Sequence, residues 1–128
     1  MLDTHIWVWW IYGNNQLSQN YSEYIQAQET QGLGVSIISC WEVAKLVERS
    51  RLILHCPVEE WLNQALAYPG ICLLELTPRI CVESTQLPGE FHKDPADQII
   101  VATARVYDCP LVTVDSKILN YPHVQKQP

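Results

Sequence analysis

Four short apolar runs, Met1–Leu2, Leu33–Ile38, Ile71–Leu76 and Leu111–Val114, recur at intervals of roughly 30 to 40 residues, the spacing of βαβ units. The gaps between them hold apolar residues at helical spacing. Trp7, Trp10 and Ile11 share a face after the first run, and Tyr21, Tyr24 and Ile25 follow. Val43, Leu46 and Val47 come after the second run, and Trp61, Leu62, Ala65 and Leu66 before the third. Ile99, Ile100, Thr103, Ala104 and Tyr107 lead into the last. Thr77-Pro78 and Asp94-Pro95 read as N-caps followed by proline at the first helical position, and Pro110 stops the last long helix. Strands alternating with helices predict an α/β fold whose mostly parallel sheet is covered on both faces. No linker or internal repeat divides the chain, so residues 1–128 are expected to form one domain. The tail from Tyr121 is expected either to add a short edge strand or to fray.

At 48% apolar and only 17% charged residues, the chain can bury a core and does not have a disordered composition. A net charge of −6 argues against a general polyanion binder. That argument fails locally if several of the 14 acids share a pocket, because bound cations would reverse the field there. The five cysteines (Cys40, Cys56, Cys72, Cys81, Cys109) are scattered and odd in number, unlike a disulfide framework or a zinc site. They are expected to be mostly buried, reduced thiols. The apolar start, Ile6 to Tyr12, is too short to span a bilayer. No secretory leader is visible, and the expected location is the cytoplasm. Only two residues precede Asp3, so either the first strand is very short or the natural start lies upstream.

Two of the strand-like runs end in a lone aspartate, in Leu2-Asp3-Thr4-His5 and in Leu111-Val112-Thr113-Val114-Asp115. In open α/β sheets, ligands bind beyond the carboxyl ends of the strands. Parallel strands would therefore aim both carboxylates at one spot, where they repel unless a hard divalent cation lies between them. Two more acids belong to the same rim: Glu42, in Ser39-Cys40-Trp41-Glu42 after the second strand, and Asp97, in Asp94-Pro95-Ala96-Asp97. Both are expected in the first turn of a helix. Each acid alone has a plain structural reading. Ser39 and Glu42 fit a capping box, Asp94 fits an N-cap, and Asp97 fits an acid favoured by the helix dipole. Asp3 and Asp115 could likewise cap the helices that follow them. Capping does not explain why four acids from four segments converge.

In this order and spacing the residues resemble a PIN domain, most closely the VapC-like toxins of prokaryotic toxin–antitoxin pairs. The resemblance is carried by Asp3, by Ser39-x-Trp41-Glu42 with Lys45, by Asp97 followed by Ala102-Thr103-Ala104, and by Leu111-Val112-Thr113-x-Asp115. It covers nearly the whole chain. It implies a three-layer α/β/α fold and a metal-dependent ribonuclease with Asp3, Glu42, Asp97 and Asp115 as the acidic cluster. It also implies a homodimer and inhibition by a small VapB-like antitoxin. Many family members carry the last acid later, after a Thr-x-Asn, at the place Ile118 holds here. Asp115 then fills that role alone, and Asp94 either assists or only caps.

Hydrolysis of an RNA phosphodiester needs an activated water and stabilised oxyanions, and one or two Mg²⁺ or Mn²⁺ ions supply both. Asp3 and Asp97 are assigned as direct ligands, with Glu42 and Asp115 as ligands or orienters of water. Thr4 and Thr113 are candidate orienting residues, although Thr113 is equally a β-branched strand residue. Lys45 is expected either to meet substrate phosphate or to pair with Glu42 on the same helix face. Lys45, Arg49 and Arg51 form a small basic cluster that either guides RNA or is solvated surface.

His5 and His92 lie near the rim, where a catalytic histidine is not required. Most of the five tryptophans are expected in the core. Trp7, Trp9 and Trp10 cannot all point inward, so one of them is expected at a protein interface.

Rival readings are weaker. A haloacid-type phosphatase wants Asp-x-Asp on the first strand, but Asp3 is followed by Thr4 and His5. A receiver domain wants an acceptor aspartate ending its middle strand, which here ends in Thr77-Pro78. A non-catalytic PIN-like scaffold, or another metal-dependent phosphoester hydrolase, stays open as the alternative.

Overall fold

The computed structural model describes residues 1–128. Seven helices run through it: α1 (Thr4–Tyr12), α2 (Gln19–Gln28), α3 (Ile37–Glu48), α4 (Val58–Leu66), α5 (Pro78–Ser84), α6 (Pro95–Val106) and α7 (Ser116–Leu119). Two strands, β1 (Leu33–Ser36) and β2 (Ile71–Leu74), pair in parallel. The sheet continues through single-residue bridges. Leu2 joins Val35 on one side and Val112 on the other, and Leu111 joins Lys126, all in parallel. The order across the sheet is therefore β2, β1, the chain start, the Leu111–Val112 segment and the tail. The tail forms an edge rather than fraying.

The first strand is as short as the sequence suggested, reduced to Leu2. It is held by Leu2 N donating to Gly34 O at 2.8 Å and Asp3 N donating to Val112 O at 3.0 Å. The second and third strands are shorter than their apolar runs. Ile37 and Ile38 belong to α3, because Ser36 caps that helix by accepting from Ile38 N. The prolines at the starts of α5 and α6 sit where expected, behind Thr77 and Asp94 as N-caps. Gly13 ends α1 at φ 62°, a left-handed turn that glycine enters without steric cost.

Adjacent residues of a strand face opposite sides of a sheet. Leu2, Val35 and Val112 enter one core with Ile6, Trp7, Ile25, Val43 and Trp61. Leu111 enters a second core with Ile100, Val101, Ala104, Ile118, Tyr121 and Val124. Helices thus cover both faces, giving the three-layer α/β/α arrangement. No helix is long and apolar enough to cross a membrane.

Two expectations are corrected here, on the cysteines and on how many tryptophans are core. None of the cysteines is fully buried; all five are free, and Cys72 and Cys81 are exposed. Trp7 and Trp61 are core residues, but Trp9 and Trp10 are only partly buried against that core. The tryptophan left most in solvent is Trp41, at 52% exposure, rather than any residue of α1.

Trp7 and Trp61 meet edge to face with ring centroids 5.4 Å apart, locking α1 against α4. Trp61→Ala is expected to cost about 3–5 kcal/mol of stability, as large-to-small changes at buried aromatics do. Urea unfolding followed by circular dichroism would measure it, with Trp41→Phe as an exposed control that leaves the midpoint in place.

Candidate active site

Asp3 closes the chain's first strand, and Thr113 follows Val112 on the neighbouring one. The bridge between Leu2 and Val112 therefore sets these two side chains next to each other. Thr113 Oγ1 donates to Asp3 Oδ2 at 2.7 Å, and Thr4 N donates to Asp3 Oδ1 at 2.8 Å. Asp3, Thr4 and Thr113 are all buried. Burial holds the Asp3 carboxyl above the usual carboxylate range, and the two donors only partly offset it. Thr113 also accepts from Asp115 N at 3.0 Å, which ties the two acidic segments together. Its role is thus to orient carboxylates as well as to fill a strand position.

Glu42 reaches the site from the second turn of α3, since that helix begins at Ile37. The expected capping box of Ser39 and Glu42 is not formed. Ser36 is the cap, and Ser39 is buried within the helix, its hydroxyl 2.8 Å from Thr4 Oγ1. Thr4 Oγ1 donates to Glu42 Oε1 at 2.6 Å. Burial raises the Glu42 carboxyl to about 7, with the negative charges of Asp3, Asp97 and Asp94 adding to the shift and the Thr4 bond opposing it.

Asp97 lies in the first turn of α6, where Asp94 caps the helix by accepting from Asp97 N. Burial, then Asp3, Asp94 and Asp115, lift the Asp97 carboxyl to about 6 against the pull of His92. His92 Nε2 stands 2.8 Å from Asp97 Oδ2, off the line of a well-formed hydrogen bond, and this buried nitrogen has no other partner. The sequence put His92 near the rim but carried no sign of this contact, because a loop brings it there. Asp115 caps α7 through Oδ1, which accepts from Lys117 N and Ile118 N.

All of these acids face one cavity of about 280 Å³. Asp3, Thr4, Glu42, Asp94, Asp97 and Asp115 line it together, with His5 and Trp9 at its edge. The convergence expected from the sequence is therefore present, Asp94 included. Lys45 departs from expectation: it pairs with Glu48 at 2.9 Å rather than with Glu42. His5 is exposed and lies against Trp9.

The donor set is all oxygen, which suits a hard cation such as Mg²⁺ or Mn²⁺. The raised carboxyls have no Lys or Arg partner to neutralise them, so the residues present fit a divalent ion. No three acidic side chains stand close enough together to grip one as they are placed. Each accepts from a donor of its own: Asp3 from Thr113, Glu42 from Thr4, and Asp115 from its helix.

The PIN domain family model matches residues 1–124. Ribonuclease VapC22 of Mycobacterium tuberculosis is 34% identical over 123 residues, spanning 96% of this chain and 92% of that protein. The fold is also similar to VapBC2 from Rickettsia felis, solved bound to a DNA fragment from its promoter. The TM-score is 0.70 at 19% identity, over 99% of this chain and 96% of that one. A toxin–antitoxin complex from Klebsiella pneumoniae gives 0.63 at 22% identity, over 96% of this chain and 92% of that one.

The raised carboxyls make stability depend on pH. Folded Glu42 and Asp97 hold protons up to about 7 and about 6, whereas unfolded they release them near 4.5 and 3.8. Between those values the folded state binds more protons, so stability must fall as pH climbs through this window. The melting temperature in a chelating buffer is expected to fall as pH rises from about 4.5 to about 7 and to level off above that. Glu42→Gln should flatten the part of the decline nearest pH 7.

Proposed function

The chain belongs to the PIN domain family, and from that membership we propose that it is a metal-dependent endoribonuclease, the toxin of a toxin–antitoxin pair. The observation that carries this reading is the cavity itself. Four acids from four separate segments, with Asp94 as a fifth, line one small space beyond the carboxyl ends of a parallel sheet. A scaffold that only binds partners has no need of a cluster so costly in mutual repulsion.

Asp3 and Asp97 are the proposed direct ligands of one or two Mg²⁺ or Mn²⁺ ions, with Glu42 and Asp115 as ligands or orienters of water. When bound, such an ion acidifies water and steadies the charge that builds on the scissile phosphate. The chain's own contribution is positional. Thr113 and Thr4 N fix both oxygens of Asp3, so that carboxylate cannot rotate away. Asp115 Oδ1 is held by its helix, which leaves Oδ2 for the cavity. Glu42 keeps Oε1 on the Thr4 hydroxyl, which leaves Oε2 for an ion or its bound water. Asp94 serves as a cap that adds negative charge at the rim.

The partner reading follows from the same cluster. An antitoxin can silence a cavity of carboxylates by placing an Arg or Lys side chain among them. We extend the proposal to a homodimer, for which apolar side chains left in solvent, such as Val82 and Tyr107, provide surface.

Asp3→Asn and Asp97→Asn are expected to abolish cleavage of single-stranded RNA in Mg²⁺ or Mn²⁺ while leaving the circular dichroism spectrum intact. Full activity in either variant removes that residue from the mechanism. Millimolar Mn²⁺ should raise the melting temperature of the unmutated chain by mass action, and Asp115→Asn should reduce the rise. An unchanged midpoint would speak against a cation site.

If a small antitoxin-like protein is encoded beside this chain, it is expected on co-expression to co-elute on size exclusion and to suppress RNA cleavage. Failure of both sinks the toxin role but not the nuclease.

A further inference from the structure

Trp41 stands apart from the other tryptophans by being mostly in water. It precedes Glu42 on α3, so one rigid helix sets the position of the indole relative to a proposed active-site carboxylate. Residues four apart lie on one stripe of a helix. Lys45 therefore sits beside Trp41, its Nζ 5.8 Å from the ring centroid, while Glu42 is turned about a quarter of the way round towards Thr4.

A groove of about 720 Å³ runs along this stripe, with Leu76 and Ile99 as its apolar wall and Lys45, Arg49 and Arg51 along its edge. Those three are drawn from only eight Lys and Arg residues in a chain of net charge −6. His5, Glu42 and Asp94 line both this groove and the acidic cavity, so the two are continuous.

We propose that Trp41, with Lys45 and Arg49 beside it, forms a subsite that stacks one unpaired base of the RNA substrate next to the phosphate to be cleaved. The inference rests on the ribonuclease reading above and adds where the strand lies. A flat apolar indole matches the face of any base, and the cations match the phosphates flanking it. An apolar peptide segment would use the wall of the groove but leave Arg49 and Arg51, which pair with no acid of this chain, without a counterpart.

Two measurements test it. Trp41→Ala should raise the KM for cleavage of single-stranded RNA roughly tenfold, in line with the loss of one stacked base, with a smaller effect on kcat. Trp41→Phe should restore most of the KM. Because Trp41 is exposed, both variants should melt with the unmutated chain. Separately, irradiating the unmutated chain with a 5-iodouridine-substituted single-stranded RNA should attach the label at Trp41, as read by peptide mass spectrometry. Cleavage kinetics untouched by Trp41→Ala, with the label landing elsewhere, overturns the subsite while the nuclease stands. No cleavage by the unmutated chain overturns the nuclease reading, and the label still reports whether RNA lies on Trp41. If Trp41→Ala leaves KM unchanged but abolishes co-elution with the neighbouring small protein, the groove is a protein dock and the subsite is wrong.

Discussion

A buried carboxylate at the centre of the sheet is the constraint on which the rest of this structure depends. Removing a charge from water costs several kcal/mol unless donors replace the lost solvent. Asp3 receives two, the Thr113 hydroxyl and Thr4 N. The Thr113 hydroxyl would not be in place without the backbone bonds that clamp Leu2 and Asp3 between Gly34 and Val112. A one-residue strand does this because it is central. Leu2 fills one core while the bonds on either side of it fix the direction in which Asp3 leaves the sheet. A shift of one residue would send Asp3 into the apolar layer. Sheet register and site geometry are thus one requirement.

Helix capping and a metal-binding role are compatible for the same side chains. A cap occupies an oxygen with the first turn of its helix and leaves further lone pairs free. Asp115 spends Oδ1 on Lys117 N and Ile118 N, and Asp94 spends Oδ1 on Asp97 N. Capping then orients the carboxylate by a local bond before any ion arrives. The same bonds hold the acids slightly apart, which limits their repulsion while no cation neutralises them. Thr4 does this for Glu42 from outside the helix.

Element order, parallel pairing and the four acids were legible in the sequence because each has a strong local signature: apolar runs at βαβ spacing, proline behind a cap, and acids after strand ends. Several particulars were not. Ile37 and Ile38 read as strand because β-branched residues favour it, yet Ser36 caps the chain into helix before them. That moved Glu42 from the first turn to the second and undid the capping box. Lys45 is three residues from both Glu42 and Glu48, so spacing could not choose its partner. Burial chose, since Glu42 turns inward to Thr4 and Glu48 stays in water. The approach of His92 to Asp97 depends on the path of a loop, which periodicity does not encode. The tryptophans misled for a related reason. Their spacing in α1 was helical, but which side of the helix faces the core is settled only by packing.

Charge is divided across α3 in a way that suits a polyanion better than the net charge of the chain implies. One side of the helix sends Glu42 into the acidic cavity, and the next carries Trp41 and Lys45 along the groove. An RNA strand crossing from groove to cavity would pass from fixed cations to fixed anions within a single helix width. Only the groove would attract it directly, and the cavity would accept its phosphate only with divalent ions there to reverse the local field. A strand drawn to the groove alone would be bound without being cut. On the nuclease reading proposed above, the acids would make cleavage conditional on the metal, while the basic edge of α3 would keep initial contact with the strand independent of it.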